Sequence, residues 1–180
     1  SSQKAINALL DLGLVERVGS DGLLLHPAFR DLLYQQLPPG RRQELHLAAA
    51  NLLADRSRFT AAAWHYNQGG RPEMAIWSWF VHRQQEMDQG QTSAALELFA
   101  PLAQTPLPTF EDQQALALLL APLYARAGRA QEGLTLMDKA TWPTSAPRAV
   151  HAHALRGELL AETGAIDQAL AEYRRSLDSI

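Results

Sequence analysis

Residues 152–177 read AHALRGELLAETGAIDQALAEYRRSL, a run of alanine and leucine at helical spacing, a single glycine, and a second helical run. Gly164 is the break, because glycine readily takes the left-handed conformation that ends a helix. A small residue, Ala169, follows it by five positions and a large one, Tyr173, by nine. The same offsets recur upstream: Ala75 and Trp79 after Gly70, Ala95 and Phe99 after Gly90, Gly133 and Met137 after Gly128. Helix-pair packing demands this order, since the small residue admits the second helix close to the first and the large one fills the space beside it.

Gly128 and Gly164 lie 36 residues apart and Gly90 and Gly128 lie 38 apart, near the tetratricopeptide period of about 34. Gly157, Leu160, Gly164, Ala169 and Tyr173 resemble the consensus positions of that repeat, while the earlier units are degenerate. Gly70 and Gly90 are only 20 apart. One helix from about Pro72 to Asp88 is therefore predicted to end one pair and begin the next. Interior prolines remove a backbone bond and clash one turn back, costing about 3 kcal/mol. Pro122 accordingly predicts a kink near Leu118–Ala121, and Pro101 a helix end or bend at about Ala100. Ile166, Leu170, Tyr173 and Leu177 are predicted to pack on the preceding helix, with Ala169, Ser176 and Ile180 turned to where a further repeat docks.

Apolar stripes at helical spacing extend upstream. They are Leu45, Ala48, Ala49, Leu52 and Leu53; Met74, Trp77, Phe80 and Val81; Ala95, Leu98, Phe99 and Leu102; and Leu116, Leu119, Leu120 and Leu123. The opening differs. Ile6, Leu9 and Leu10 mark a helix ending at Gly13, and Leu14 to Leu25 around Ser20-Asp21-Gly22 mark a hairpin. Pro27 then suits the first turn of a helix reaching Leu37. Helix, hairpin, helix is the second half of a winged-helix unit, and it begins with nothing ahead of it to pack on, so the chain reads as a piece of something longer. The expected fold class is all-α: a tetratricopeptide-like α-solenoid over 59–180, a linking helix over 38–58, and a partial winged-helix unit with a small β-hairpin over 1–37.

Composition narrows the function. The 180 residues carry a net charge of -3 with 47% hydrophobic and 19% charged residues, which suits packed helices and lacks the basic footprint of nucleic-acid binding. Residues 1 to 29 hold Lys4 and Arg17 against Asp11, Glu16 and Asp21, so a DNA-reading winged helix has almost no cation for phosphates or base edges. There is no cysteine, which removes disulfides and thiolate metal sites and agrees with a reducing cytoplasm. Neither a long apolar run nor a leader pattern is seen, so no membrane contact is expected. GxxxxGK[ST], HExxH and GxSxG are missing, and His151 and His153 point apart on a helix, so no catalytic residue, bound cofactor or metal is expected in this chain.

The order of parts, with MDQGQTSAALELFAPLAQTPLP and LALLLAPLYARAGRAQEGLTLMDKA, resembles the region after the nucleotide-binding core of STAND-class signal-transduction ATPases. The resemblance is to the bacterial maltose-activator type of transcriptional regulator in particular. It implies a non-catalytic region that senses a signal, or binds a partner, through its repeats. That signal is relayed to an upstream nucleotide-binding module, with ATP and ADP bound only in the parent protein. Leu25-His26-Pro27 is similar to the junction at which the family's winged helix touches ADP phosphates, which makes His26 the nucleotide-sensing contact. The chemistry alone equally allows His26 to end the strand and bond a carbonyl. Trp64, Tyr66, Trp77 and Trp79, with Phe59 and Phe80, form an aromatic concentration that either lines a ligand or partner groove or fills the joint between the winged helix and the repeats. A peptide-binding adaptor without a nucleotide switch and a DNA-binding regulator are the rival classes.

Overall fold

The computed structural model describes residues 2–19, 22–142 and 147–178. Among them the chain is mostly helical with one small antiparallel sheet. It divides into two compact units, Ser1–Leu45 and His46–Ile180.

The first unit opens with α1 (Ser2–Asp11), followed by β1 (Val15–Val18), β2 (Gly22–Leu25) and α2 (Pro27–Gln36). Gly13 is left-handed, and Leu14 N–H closes back to the Leu9 carbonyl at 3.0 Å, so α1 ends where the sequence placed its break. The strands pair with Val15 opposite Leu25 and Val18 opposite Gly22. Ser20 and Asp21 of the expected turn fall outside the described residues. Helix α3 (Pro39–Asp55) begins in this unit and ends in the second.

The second unit continues with α4 (Phe59–Gln68), α5 (Pro72–Asp88), α6 (Thr92–Phe99), a 3-10 segment over Ala100–Gln104, α7 (Phe110–Arg126), α8 (Ala130–Lys139), α9 (Pro147–Glu162) and α10 (Ile166–Asp178). α4 packs on α5, α7 on α8 and α9 on α10, while α5 also meets α7. Four helices here end alike. Gly70, Gly90, Gly128 and Gly164 are all left-handed, and the next residue's N–H bonds the carbonyl five back, as in Arg71 to Tyr66 at 2.9 Å and Ala165 to Leu160 at 2.9 Å. This is the 6→1 bond of a Schellman end. The small residues five positions on, Ala75, Ala95, Gly133 and Ala169, are all buried. Of the large ones, Trp79, Phe99 and Met137 are among the most deeply buried side chains of the chain.

Two cores share α7. Leu116, Leu119, Leu120 and Leu123 join Trp79, Phe99 and Ile76 on one side. Ala117, Leu118 and Ala121 join Met137, Leu159 and Ala169 on the other. A helix with neighbours on both flanks is apolar all round, which is why one stripe described it incompletely. Pro122 is accommodated inside a continuous α7, and Pro101 follows the end of α6.

Three stripes shift against expectation. In α3 the inward side chains are His46, Leu47, Ala50, Leu53 and Ala54, whereas Leu45 and Leu52 are exposed. His46 turns inward to meet the half-buried His65, which moves that face by one position. In α5 the deepest face is Ala75, Ile76 and Trp79, Trp77 and Phe80 are half-buried, and Val81 is exposed. In α10 Tyr173 packs on α9 as expected, against Gly157, but the rest of the face shifts. Ala169, Glu172 and Ser176 are buried with Tyr173 packed beside them, while Ile166, Leu170 and Leu177 are exposed. Ile180 falls outside the described residues. Small side chains win this contact because they let α10 approach α9 closely enough for Ser176 Oγ to donate to the Val150 carbonyl at 3.0 Å. Among the described residues no helix is long and apolar enough to cross a membrane.

Candidate functional site

The four aromatic candidates are held on α4 and α5, and the two helices present them to different surroundings. Trp79 is fully buried, its Nε1–H donating to Thr60 Oγ1 at 2.9 Å and its ring tilted against Phe99 at 5.7 Å. Tyr66 is buried and its hydroxyl donates to Asn51 Oδ1 at 2.7 Å, tying α4 to α3. Trp77 points toward the start of α7, where Nε1–H donates to Asp112 Oδ1 at 2.8 Å and the Arg148 guanidinium lies 5.0 Å over the ring. Trp64 is the one of the four with a largely open face, 47% exposed.

Trp64 forms one wall of a groove of about 520 Å³ between α4 and α6. Asn67, Gln68, Gln91 and Glu97 supply amides and one carboxylate, and Leu98 and Pro101 an apolar edge. A volume of that size is typical of small-molecule sites. Aromatic and amide side chains give it the means to stack on a flat or apolar face and to hydrogen-bond in both directions.

Behind Trp64 lie two histidines. His46 Nδ1 and His65 Nδ1 are 2.9 Å apart, and the indole meets both rings edge-on, at 5.5 Å and 4.9 Å. A contact between two Nδ1 atoms needs one proton, donated by one ring and accepted by the other. Burial holds the pKa of both below the ordinary histidine value, and for His65 the neighbouring His46 adds to the effect. The pair is thus kept neutral near pH 7.

Glu86 is a buried carboxylate of a second kind. It accepts from Thr60 N–H at 2.9 Å and from Thr60 Oγ1 at 2.5 Å. Thr60 is the second residue of α4, so the Glu86 carboxyl group sits against the open N–H groups at the start of that helix. Thr60 also receives the Trp79 donor, which links helix cap, core aromatic and carboxylate in one network.

Sequence reasoning missed the His46–His65 pair, Glu86 and the His153–Glu172 contact of 2.7 Å. A signal exists for the two histidine contacts: each joins polar residues 19 apart, placed nearly symmetrically about the turn joining two antiparallel helices.

His26 occupies the N-cap position of α2, exposed to solvent, with no side-chain capping bond. Its backbone N–H donates to the Leu14 carbonyl at 2.9 Å and its carbonyl accepts from Arg30 N–H at 2.9 Å. The ring therefore stands open beside the start of a helix, where backbone N–H groups favour an anion. The Arg42 side chain donates to the Leu37 and Gln35 carbonyls at 2.8 Å and 3.1 Å and closes the end of α2. Among the described residues no three His, Cys, Asp or Glu side chains group to hold a metal ion.

No protein-family model matches the chain, and neither a curated protein nor a solved structure is significantly similar to it.

Proposed function

We propose that this chain is a non-catalytic regulatory and interaction region of a STAND-type ATPase, a partial winged-helix unit followed by a tetratricopeptide-like solenoid. In this reading the repeats take up a signal or partner, and the first unit relays it to an upstream nucleotide-binding module. The observation that carries the reading is the surface of the first unit. Val15 is its one buried large apolar side chain among the described residues, while Leu12, Val18, Leu23, Leu24, Leu32 and Leu33 are each about half exposed or more. A unit of this size has little core to sustain it, and an apolar surface this dense marks a docking site for another protein module. The Gly70, Gly90, Gly128 and Gly164 helix ends, with their buried small residues, support the solenoid.

His26 is the nucleotide-sensing contact in this account, an open imidazole beside a helix start. ATP and ADP are bound in the parent protein and not by this chain, the region acts in the cytoplasm, and it binds neither DNA nor membrane. The Trp64 groove also favours a second reading, a peptide-binding adaptor with no nucleotide switch.

The test is made in the full-length protein. Leu23→Ser with Leu32→Ser should loosen the docked resting state, speeding ADP loss and raising basal output, because contacts specific to one state stabilise that state alone. Unchanged ADP retention and unchanged output in a folded variant would leave the adaptor reading in its place.

A further inference from the structure

Three carboxyl groups are buried among the described residues: Glu86, Asp112 and Glu172. Asp112 accepts from Trp77 Nε1–H on Oδ1 and from Thr109 on Oδ2, and Glu172 accepts from Arg175 on Oε1 and meets His153 Nδ1 on Oε2, so each engages both oxygens. Glu86 does not. Its hydrogen bonds from Thr60 N–H and Thr60 Oγ1 both end on Oε2, it has no ion pair, and Oε1 has no protein partner among the described residues. No side-chain oxygen among those residues is both enclosed and without a hydrogen bond. Oε1 therefore opens outward although Glu86 as a whole is only 2% exposed.

Glu86 lines a concavity of about 130 Å³ together with Ser57, Gln89 and Gln91. Arg58 also borders it, exposed and without an ion-pair contact to Glu86. Thr60, Ala61 and Gln91 line both this concavity and the Trp64 groove, so the smaller space adjoins the larger. Thr60 and Trp64 stand four residues apart on α4, neighbours on one face about 5–6 Å apart at Cβ. The carboxyl group bonded to Thr60 and the open indole thus lie about one helical turn apart along the same wall, a buried acceptor at one end and an aromatic face at the other.

We propose that these joined concavities bind an organic ammonium ion with an aromatic or apolar body, its ammonium on Glu86 Oε1 and its body against Trp64. An ammonium carries three donors. Oε1 accepts one, and the side-chain amides of Gln89 and Gln91 supply acceptors for the others. A cation at Oε1 favours the ionised form of the carboxyl group, and the enclosure of Glu86 makes that contact stronger than it is in water. Oε2 stays on Thr60, so binding leaves the start of α4 as it is. The ammonium belongs either to a free amine or to a lysine side chain of a partner peptide. The inference deepens the signal-binding role proposed for the repeats and rests on it for its biological meaning, while the binding itself belongs to this chain.

The experiment is calorimetric titration of the chain with phenylalkylamines, from benzylamine to 4-phenylbutylamine, alongside the phenylalkanol of each length. One amine should bind about tenfold or more tightly than its alcohol, the size of one charge-assisted hydrogen bond. Glu86→Gln, which keeps an acceptor for Thr60, should remove that preference, and Trp64→Ala, at an exposed position, should weaken the best amine about fivefold. Ala61→Leu narrows the space where the two concavities meet, leaves the carboxyl group in place and should abolish the heat of binding, so the test stands even where Glu86→Gln does not fold. Circular dichroism and Tm report the folding of each variant. A blocked tetrapeptide with lysine beside phenylalanine separates the two sources: tighter binding than the best amine assigns the ammonium to a partner's side chain, and weaker binding to a free amine. Equal affinity for amine and alcohol overturns the proposal, as does an amine preference retained in folded Glu86→Gln, affinity unchanged in both Trp64→Ala and Ala61→Leu, or no heat from any amine at millimolar concentration. A negative result here leaves docking of the first unit standing, and failure of that docking leaves a calorimetric signal untouched.

Discussion

His46 and His65 face each other through Nδ1 at 2.9 Å, and this geometry accepts one proton between the two atoms but not two. Both rings have pKa values lowered by burial in the folded state. A histidine whose folded pKa lies below its unfolded value contributes stability present above about pH 6.5 and lost as pH falls through that region. The Tm of the chain should therefore drop between pH 7.5 and pH 5 by more than that of His65→Gln, which keeps a polar contact and cannot charge. Equal pH slopes for the two proteins would remove the pair as the cause. A second residue-scale outcome concerns His26: in the full-length protein His26→Ala should weaken ADP retention and raise basal output, read by nucleotide release and reporter activity. Identical values for the variant and its parent would leave His26 as a strand end. The sequence showed His26 through its neighbours, Leu25 and Pro27, because a junction residue is defined locally. It hid His46 and Glu86 because their roles depend on helices 19 and 26 residues away.

Helix ends and close approaches were the most legible elements, since a glycine followed five positions later by a small residue is a local statement about a turn and the contact beyond it. Helix faces were less so. In α10 Tyr173 predicted its contact with α9, but the leucines predicted the wrong one, because distance of approach, set by Ala169 and Ser176, outweighs the apolar area of Leu170 and Leu177. Ala169→Leu should thus cost about 1–3 kcal/mol by overpacking, whereas Leu170→Gln should stay within about 0.5 kcal/mol. Chemical denaturation of the two variants decides between the faces: a larger loss for Leu170→Gln would restore the original assignment. Gly157 makes the same point on α9. A Cβ there would lie 2.6 Å from the Tyr173 ring, so Gly157→Ala should lower stability by about 1–3 kcal/mol, and Tyr173→Leu should recover part of the loss. No loss in Gly157→Ala would mean that the ring is free to move aside, and a loss without rescue would mean that the ring is not its cause.

At the scale of the whole molecule the two units differ in what sustains them. His46–Ile180 contains two cores that share α7, so its central helices exchange their amides through the most costly openings. Ser1–Leu45 has Val15 and a row of exposed leucines. Helix, hairpin and helix were legible there in order, but alternation and spacing identify apolar residues without saying whether a partner covers them. Docking onto a nucleotide-binding module is the central claim, and hydrogen exchange measured on this chain alone and within the ADP-bound full-length protein tests it most directly. Amides of α1, β1, β2 and α2 should exchange fast in the isolated chain and be protected in the full-length protein, while those of α7 are protected in both. Equal protection of the first unit in the two settings would contradict the claim.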